Sequence, residues 1–367
     1  MATPDTGLVG TPLPLDALAS VPRLAEDAAP QKPRDFTSDQ EVRWCPGCGD
    51  YVILATIRAL LPKLGLKREN IAFISGIGCS SRFPYYLETY GVHSIHGRAP
   101  AIATGLATTR EDLSVWVVTG DGDAMSIGGN HLIHTLRRNV NMNVLMFNNR
   151  IYGLTKGQYS PTSEEGKVTK SSPMGSLDHP FNTLSLAIGA QGTFVARALD
   201  SDRKGLTEVL EAAARHRGTS FVEIMQDCPI FNDGSFDLLR KEDAADHLVH
   251  VVHGEKIVFG AEGQHCVVRD GFSLKVAATA DVDEADIIVH DAHAEDPTYA
   301  HALATLSSQD LNYTVTGIIR QVHRATYDDQ ARAQVATAKE TATADLQALL
   351  DGGNTWTVPD SESRPVR

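Results

Sequence analysis

No stretch of this 367-residue chain is apolar for the roughly 18 uninterrupted residues that a membrane-crossing helix needs. The opening Met-Ala-Thr-Pro-Asp has neither a basic segment nor an apolar one, so it does not read as a secretory signal. Positive charge is short: 33 Lys and Arg stand against 46 Asp and Glu, a formal net charge of −13. That balance offers no basic face for nucleic acid. Cysteine is sparse and odd in number, at five, which argues against a secreted disulfide scaffold. No internal repeat is present. With 42% hydrophobic and 22% charged residues the composition is that of a globular protein, long enough for about two domains. Together these features lead us to expect a cytoplasmic enzyme that binds neither membrane nor nucleic acid.

Six prolines in the first 34 residues, without helical or strand period, predict a mobile arm over 1–34, with order beginning near Trp44. Residues 50–62 have helical apolar spacing and end at Pro62. Apolar runs at 71–75, 115–119, 143–147 and 220–225 read as strands, separated by helical segments at 99–109, 129–139 and 205–217. Strand, helix, strand with short connections is a βαβ unit, and its repetition implies an α/β fold with a parallel sheet covered on both faces. Beyond Cys228 the texture changes. HLVHVVHGEKIVF and CVVRDGFSLKVA read as hairpins, followed by a strand at 287–290 and a helix at 299–306. The expected division is an arm (1–34), a cofactor domain (35–235), a smaller mixed α/β extension (236–335), and a C-terminal helix and tail (336–367).

The most specific motif is Gly120-Asp121-Gly122-Asp123 at one strand end, answered by Asn148-Asn149 at the next, 30 residues from first to last. Open α/β sheets bind ligands at such ends. The glycines let backbone approach a phosphate, and the following helix N-terminus offers free N–H groups. Asp121 can give Mg²⁺ a carboxylate oxygen, Asn149 an amide oxygen and Ile151 a backbone carbonyl. An isolated Gly-Asp-Gly is more often a plain turn. The pairing across a whole βαβ unit resembles the thiamine-diphosphate (TPP) signature.

Cys45 and Cys48 form a C-x-x-C, which alone is ambiguous among zinc, an iron–sulfur cluster and a redox disulfide. Cys79 and Cys228 follow apolar strands and can converge on the same crevice, and four thiolates suffice for a [4Fe-4S] cluster. Cys266 reads as an incidental thiol. Arg82 and Arg98 are candidates for a substrate carboxylate, with Arg82 favoured for its place beside Cys79; Lys156 is a further candidate cation or a solvated loop residue.

WCPGCGDY, GIGCSSRFPYY, HSIHGRAPAIATG, GDGDAMSIGGNH, FNNRIYGLTKGQYSPTS and DCPIF, in this order, resemble the β subunits of 2-oxoacid:ferredoxin oxidoreductases, and most of all those acting on 2-oxoglutarate. The resemblance is dense over about 40–235. It implies a TPP-binding domain of the diphosphate type, with cluster ligands at Cys45, Cys48, Cys79 and Cys228 and Mg²⁺ at Asp121, Asn149 and Ile151. It places TPP contacts at Ile77, Gly78, Cys79, Ser80, His96, Gly122, Asp123, Gly153 and Leu154, with His96 also a candidate acid–base residue. The implied reaction is CoA-linked oxidative decarboxylation of 2-oxoglutarate to succinyl-CoA and CO₂, with electrons leaving through the cluster to ferredoxin. Only one diphosphate-type unit is present, so an α subunit is expected to supply the pyrimidine side. Pyruvate or another 2-oxoacid remains an alternative substrate. A non-redox TPP decarboxylase or dehydrogenase subunit with structural zinc is the alternative enzyme, and a metal-stabilised binding module holding another phosphate is the reading from a different class.

Overall fold

A computed structural model describes residues 16–307, 310–341, 345–353, 355 and 356. Its centre is an eight-stranded sheet. Six strands come from the βαβ region: β1 (Ile71–Ser75), β2 (Tyr90–His93), β3 (Ser114–Gly120), β4 (Met142–Asn148), β5 (Phe194–Leu199) and β6 (Thr219–Met225). Four more strands of the chain are β7 (Leu248–Val251), β8 (Val258–Phe259), β9 (His265–Asp270) and β10 (Ser273–Ala278), and β11 (Thr314–Gln321) is the last. The order in the large sheet is β2-β1-β3-β4-β6-β5-β11-β7. All its pairings are parallel except β11 with β5.

Alternation along the strands assigns the two faces. Val115 and Val117 of β3 point into one core, whereas Trp116 and Val118 point into the other. The first core is covered by α2 (Ala99–Thr109), α4 (Gly129–Arg138), α5 (Thr183–Gly189) and α8 (Thr298–Leu306), and the second by α1 (Asp50–Leu64) and α6 (Arg203–Arg215). A one-turn helix, α3 (Asp121–Met125), follows β3 directly, and α7 (Ala244–His247) precedes β7. The expected α/β fold with a predominantly parallel sheet is what forms, and the helices and strands expected at 71–75, 99–109, 115–119, 129–139, 143–147, 205–217, 220–225 and 299–306 form within a residue or two of those limits.

Four expectations need correction. First, α1 runs past Pro62 to Leu64 and stops at left-handed Gly65 (φ 67°), whose N–H bonds the Pro62 carbonyl. Burial of Leu60, Leu61 and Leu64 outweighs the hydrogen bond that proline removes. Second, the expected mobile arm is packed over its described part, while residues 1–15 lie outside the described residues. The Ala17 N–H bonds the Arg215 carbonyl, Leu18 and Val21 are buried, Arg23 reaches the Leu64 carbonyl, and Phe36 is wholly enclosed. Order thus begins well before Trp44.

Third, the first expected hairpin does not form. β7 joins the large sheet beside β11, burying Val249 and Val251, while β8 pairs with β9. The free edge of β11 with an apolar face beneath it is a better partner for β7 than the two-residue β8. The second hairpin forms as expected, β9 with β10, turning at Gly271 (φ 62°). Fourth, residues 287–290 are extended but make only single bridges, to Val268 and Lys256. Because β7 and β11 belong to the large sheet, the segment expected as a separate extension is partly built into the cofactor domain.

The expected boundary at 335/336 falls inside α9 (Tyr327–Thr341), which lies on α2. Asp329 pairs with Arg217, Asp328 accepts from the Asn141 N–H, and Arg332 spans both carboxylates. A short α10 (Leu346–Asp351) ends the described helices. Among the described residues no helix is long and apolar enough to cross a membrane.

The packing of residues 16–24 has a measurable consequence. Leu18→Ala is expected to lower stability by about 2–5 kcal/mol in urea unfolding of the purified protein. A mobile arm would leave the midpoint unchanged.

Candidate functional site: a cavity at the strand ends

Parallel strands point their C-terminal ends the same way, so the loops after β1, β3, β4 and β6 meet at one edge of the sheet. They enclose a cavity of ≈ 520 Å³. Its walls include Ile77, Gly78, Cys79 and Ser80 after β1, His96 beyond β2, Asp121, Gly122 and Asp123 after β3, and Asn149, Ile151, Gly153 and Leu154 after β4. Three loops are tied by one carboxylate. Asp123 Oδ1 accepts from the backbone N–H of Ile77 (3.2 Å) and of Gly97 (2.7 Å) and from His96 Nδ1 (2.5 Å). Its Oδ2 accepts from Thr119 Oγ1 at 2.7 Å. This arrangement makes His96 Nδ1 the protonated nitrogen and leaves Nε2 for the cavity. It also explains Gly76, where a Cβ would sit 1.7 Å from Asp123 Oδ2.

Asp121 is buried, and its Oδ2 accepts from Ser160 Oγ (2.5 Å) and Thr162 Oγ1 (2.7 Å). Burial pushes its carboxyl up to about 6, against the pull of those two hydroxyls. Among the described residues no ion pair to Asp121 is formed. A buried carboxylate with no ion-pair partner among the described residues, lining the same cavity as Asn149 and Ile151, is a fitting donor set for Mg²⁺. The two asparagines divide their work. Asn149 lines the cavity, whereas Asn148 turns inward, donating to Glu223 Oε1 (2.6 Å) and accepting from Thr162 (2.9 Å). Glu223 is in turn held by Arg197 at 2.7 Å and Thr183 at 2.6 Å. Gly122 is pinned under Tyr152: a Cβ there would lie 2.2 Å from the ring, and the tyrosine hydroxyl donates to the Gly122 carbonyl.

Cys45, Cys48, Cys79 and Cys228 lie together beside the cavity as free thiols. The Gly153 backbone approaches both Cys79 and Cys228, since a Cβ there would be 3.6 Å from each sulfur. Burial pushes Cys48 far up and Cys79 up to about 12, the charge of Asp50 adds to both, and each thiol's ionisation is further opposed by other members of the set. Cys228 is also raised, chiefly by burial, with Cys45 contributing. Such a set holds four thiolates only around a strongly positive centre, so the donor chemistry fits a metal cluster. Among the described residues no three His, Cys, Asp or Glu side chains form a single-ion site. Cys266 is buried among Val268 and Ile287, in a separate cluster.

Arg82 lies in an adjoining opening that shares Ile77, Gly78 and Leu154 with the cavity. Lys156 does not line either space; it sits on an exposed turn at φ 74°, its N–H bonded to the Gly153 carbonyl. Asp50, Gln226, Tyr152 and Gln158 line the cavity but were not singled out from sequence. Asp50, Tyr152 and Gln158 fall inside the quoted motifs, which name residue types without showing which way each side chain turns.

These features define a thiamine-diphosphate-binding domain, and residues 76–224 match the family model "Thiamine pyrophosphate enzyme, C-terminal TPP binding domain". The chain is 70% identical over 362 residues to 2-oxoglutarate oxidoreductase subunit KorB of Mycobacterium tuberculosis, covering 96% of this chain and 97% of that one. It is 43% identical over 199 residues to the β subunit of 2-oxoacid:ferredoxin oxidoreductase 2 of Aeropyrum pernix, covering 54% of this chain and 64% of that one. A solved structure, 2-oxoglutarate:ferredoxin oxidoreductase from Magnetococcus marinus with 2-oxoglutarate, coenzyme A and succinyl-CoA bound, is 32% identical with a TM-score of 0.72, covering 91% of this chain and 100% of that one. The chain belongs to the β subunits of the 2-oxoglutarate:ferredoxin oxidoreductases.

Gly122→Ala tests the cavity wall directly. The added methyl displaces the Tyr152 ring, so TPP affinity measured by calorimetry is expected to fall about tenfold or more, which is at least 1.4 kcal/mol, with the far-ultraviolet dichroism unchanged.

Proposed function

We propose that this β subunit, paired with an α subunit, converts 2-oxoglutarate and CoA to succinyl-CoA and CO₂ and delivers the electrons to ferredoxin. The observation that carries the proposal is that four convergent thiols and a diphosphate-type cavity share one wall, with Cys79 in the same short loop as Ile77, Gly78 and Ser80. When bound, TPP supplies the electron sink for decarboxylation, Mg²⁺ neutralises its diphosphate, and a [4Fe-4S] cluster takes electrons singly.

The chain's own residues position and exclude. Asp121, Asn149 and the Ile151 carbonyl would hold Mg²⁺, with Ser160 and Thr162 fixing the Asp121 carboxylate. Cys45, Cys48, Cys79 and Cys228 would hold the cluster. Asp123 sets His96 so that Nε2 can accept or return a proton at the cavity wall. Ile77, Gly78, Ser80, Gly122, Gly153 and Leu154 shape a water-poor space around the cofactor. Arg82 has no carboxylate partner among the described residues, and it shares the adjoining opening with Arg43, which pairs with Glu41 at 3.1 Å. With Arg43 neutralised by Glu41, the Arg82 guanidinium is the cation there left for a second substrate carboxylate, which favours a dicarboxylic 2-oxoacid over pyruvate. One diphosphate-type domain leaves the pyrimidine side of the cofactor to the α subunit.

The test is the anaerobic visible spectrum of the chain purified with its α subunit. With CoA present, 2-oxoglutarate is expected to bleach the cluster band and pyruvate to bleach it weakly. Equal bleaching by pyruvate overturns the substrate assignment. A colourless complex holding zinc in place of iron and sulfide overturns the redox assignment.

A further inference from the structure

Gln226 lies between the two halves of the site. It follows β6 and stands two residues before Cys228, and it is only 1% exposed. Its side-chain Nε2 is 3.2 Å from Cys48 Sγ and 2.6 Å from the Asp227 carbonyl oxygen. Both neighbours are acceptors, so the amide orientation follows from its partners and Nε2 is the donor. The other end of the amide, Oε1, is buried and accepts from no protein group, and the residue lines the cofactor cavity next to Asp50. Gly49 makes room for it: a Cβ there would lie 2.7 Å from Gln226 Cγ. A leucine would fill the same space without stranding a buried acceptor, so packing alone does not account for an amide here.

We propose that Gln226 is a positioning residue that tunes the cluster from the cofactor side, its Nε2–H donating to the Cys48 thiolate and raising the cluster's reduction potential. This rests on the reading of the four cysteines as cluster ligands. The physical reason is that reduction adds negative charge that spreads onto the ligand sulfurs, so an N–H aimed at sulfur stabilises the reduced state more than the oxidised one. The stranded Oε1 is then the acceptor for a donor group on the molecule in the cavity. One side chain thereby touches both the site where electrons are released and the site where they arrive.

Gln226→Met keeps the length and removes the donor. In the complex with the α subunit, EPR-monitored redox titration is expected to show the variant's cluster at a lower potential than the unmodified one, with iron and sulfide content equal. An unchanged potential at equal iron content overturns the proposal. A second measurement covers the case in which the variant fails to hold its cluster. In the unmodified reduced complex with ¹⁵N-labelled glutamine, pulsed EPR is expected to detect one side-chain nitrogen, and an exchangeable proton on it, coupled to the cluster. Absence of both couplings overturns the proposal as well. Absence of iron and sulfide from the unmodified complex is the separate outcome that removes the cluster reading itself.

Discussion

The carboxylate of Asp123 is the constraint on which the site depends. Three loops, after β1, after β2 and after β3, have no continuous ladder to align them at the edge of the sheet, and each carries backbone N–H groups that must find acceptors. One buried side chain accepts from Ile77, from Gly97 and from His96 through one oxygen, and from Thr119 through the other. Charge-assisted bonds of this kind are roughly twice as strong as neutral ones. The geometry demands glycine at Gly76 and again at Gly128, where a Cβ would lie 2.4 Å from the Asp123 carbonyl oxygen. From that knot follow the place of Cys79 two residues beyond Ile77, the orientation of His96, and the shape of the cavity's floor.

The cavity and the thiol cage are not neighbours by accident of folding. Gly153 brings the loop after β4 against Cys79 and Cys228, while Asn232, just past Cys228, donates back to the Asn149 carbonyl at 2.9 Å. The loop after β4 and the segment after Cys228 thus tie the two halves of the site together. Behind them, the buried chain from Arg197 through Glu223 and Asn148 to Thr162 anchors the Asp121 carboxylate to the middle of the sheet. The result is a hydrogen-bonded platform beneath the cavity, with Arg82 and Arg43 lining the opening that adjoins it.

Much of this was legible in the sequence because its signals are local. Strand periodicity with short connections specifies a parallel sheet, and Gly-Asp-Gly with Asn-Asn at successive strand ends marks the edge of that sheet where the cavity forms. Other features depend on distant partners. Pro62 reads as a helix stop until the burial of Leu64 is known, and β7 reads as half of a hairpin until β11, more than 60 residues on, offers its edge. The Pro-rich start reads as mobile because its partners are distant, the Arg215 carbonyl for the Ala17 N–H, the Gly65 carbonyl for the Leu24 N–H and the second core for Leu18 and Val21, and no local pattern announces them. Lys156 sits in the quoted motif but is exposed and lines neither the cavity nor the adjoining opening. Asp123 was expected at the cofactor, and it does line the cavity, yet its hydrogen bonds go to the protein.

The most direct test of the central role given to Asp123 is amide hydrogen exchange in Asp123→Asn. A neutral amide oxygen accepts more weakly and cannot replace both carboxylate oxygens. The account predicts that the amides of Ile77 and Gly97 lose protection by about tenfold or more, while those of β3 and β4 keep theirs. Unchanged protection at Ile77 and Gly97, or uniform loss across the sheet, would contradict it.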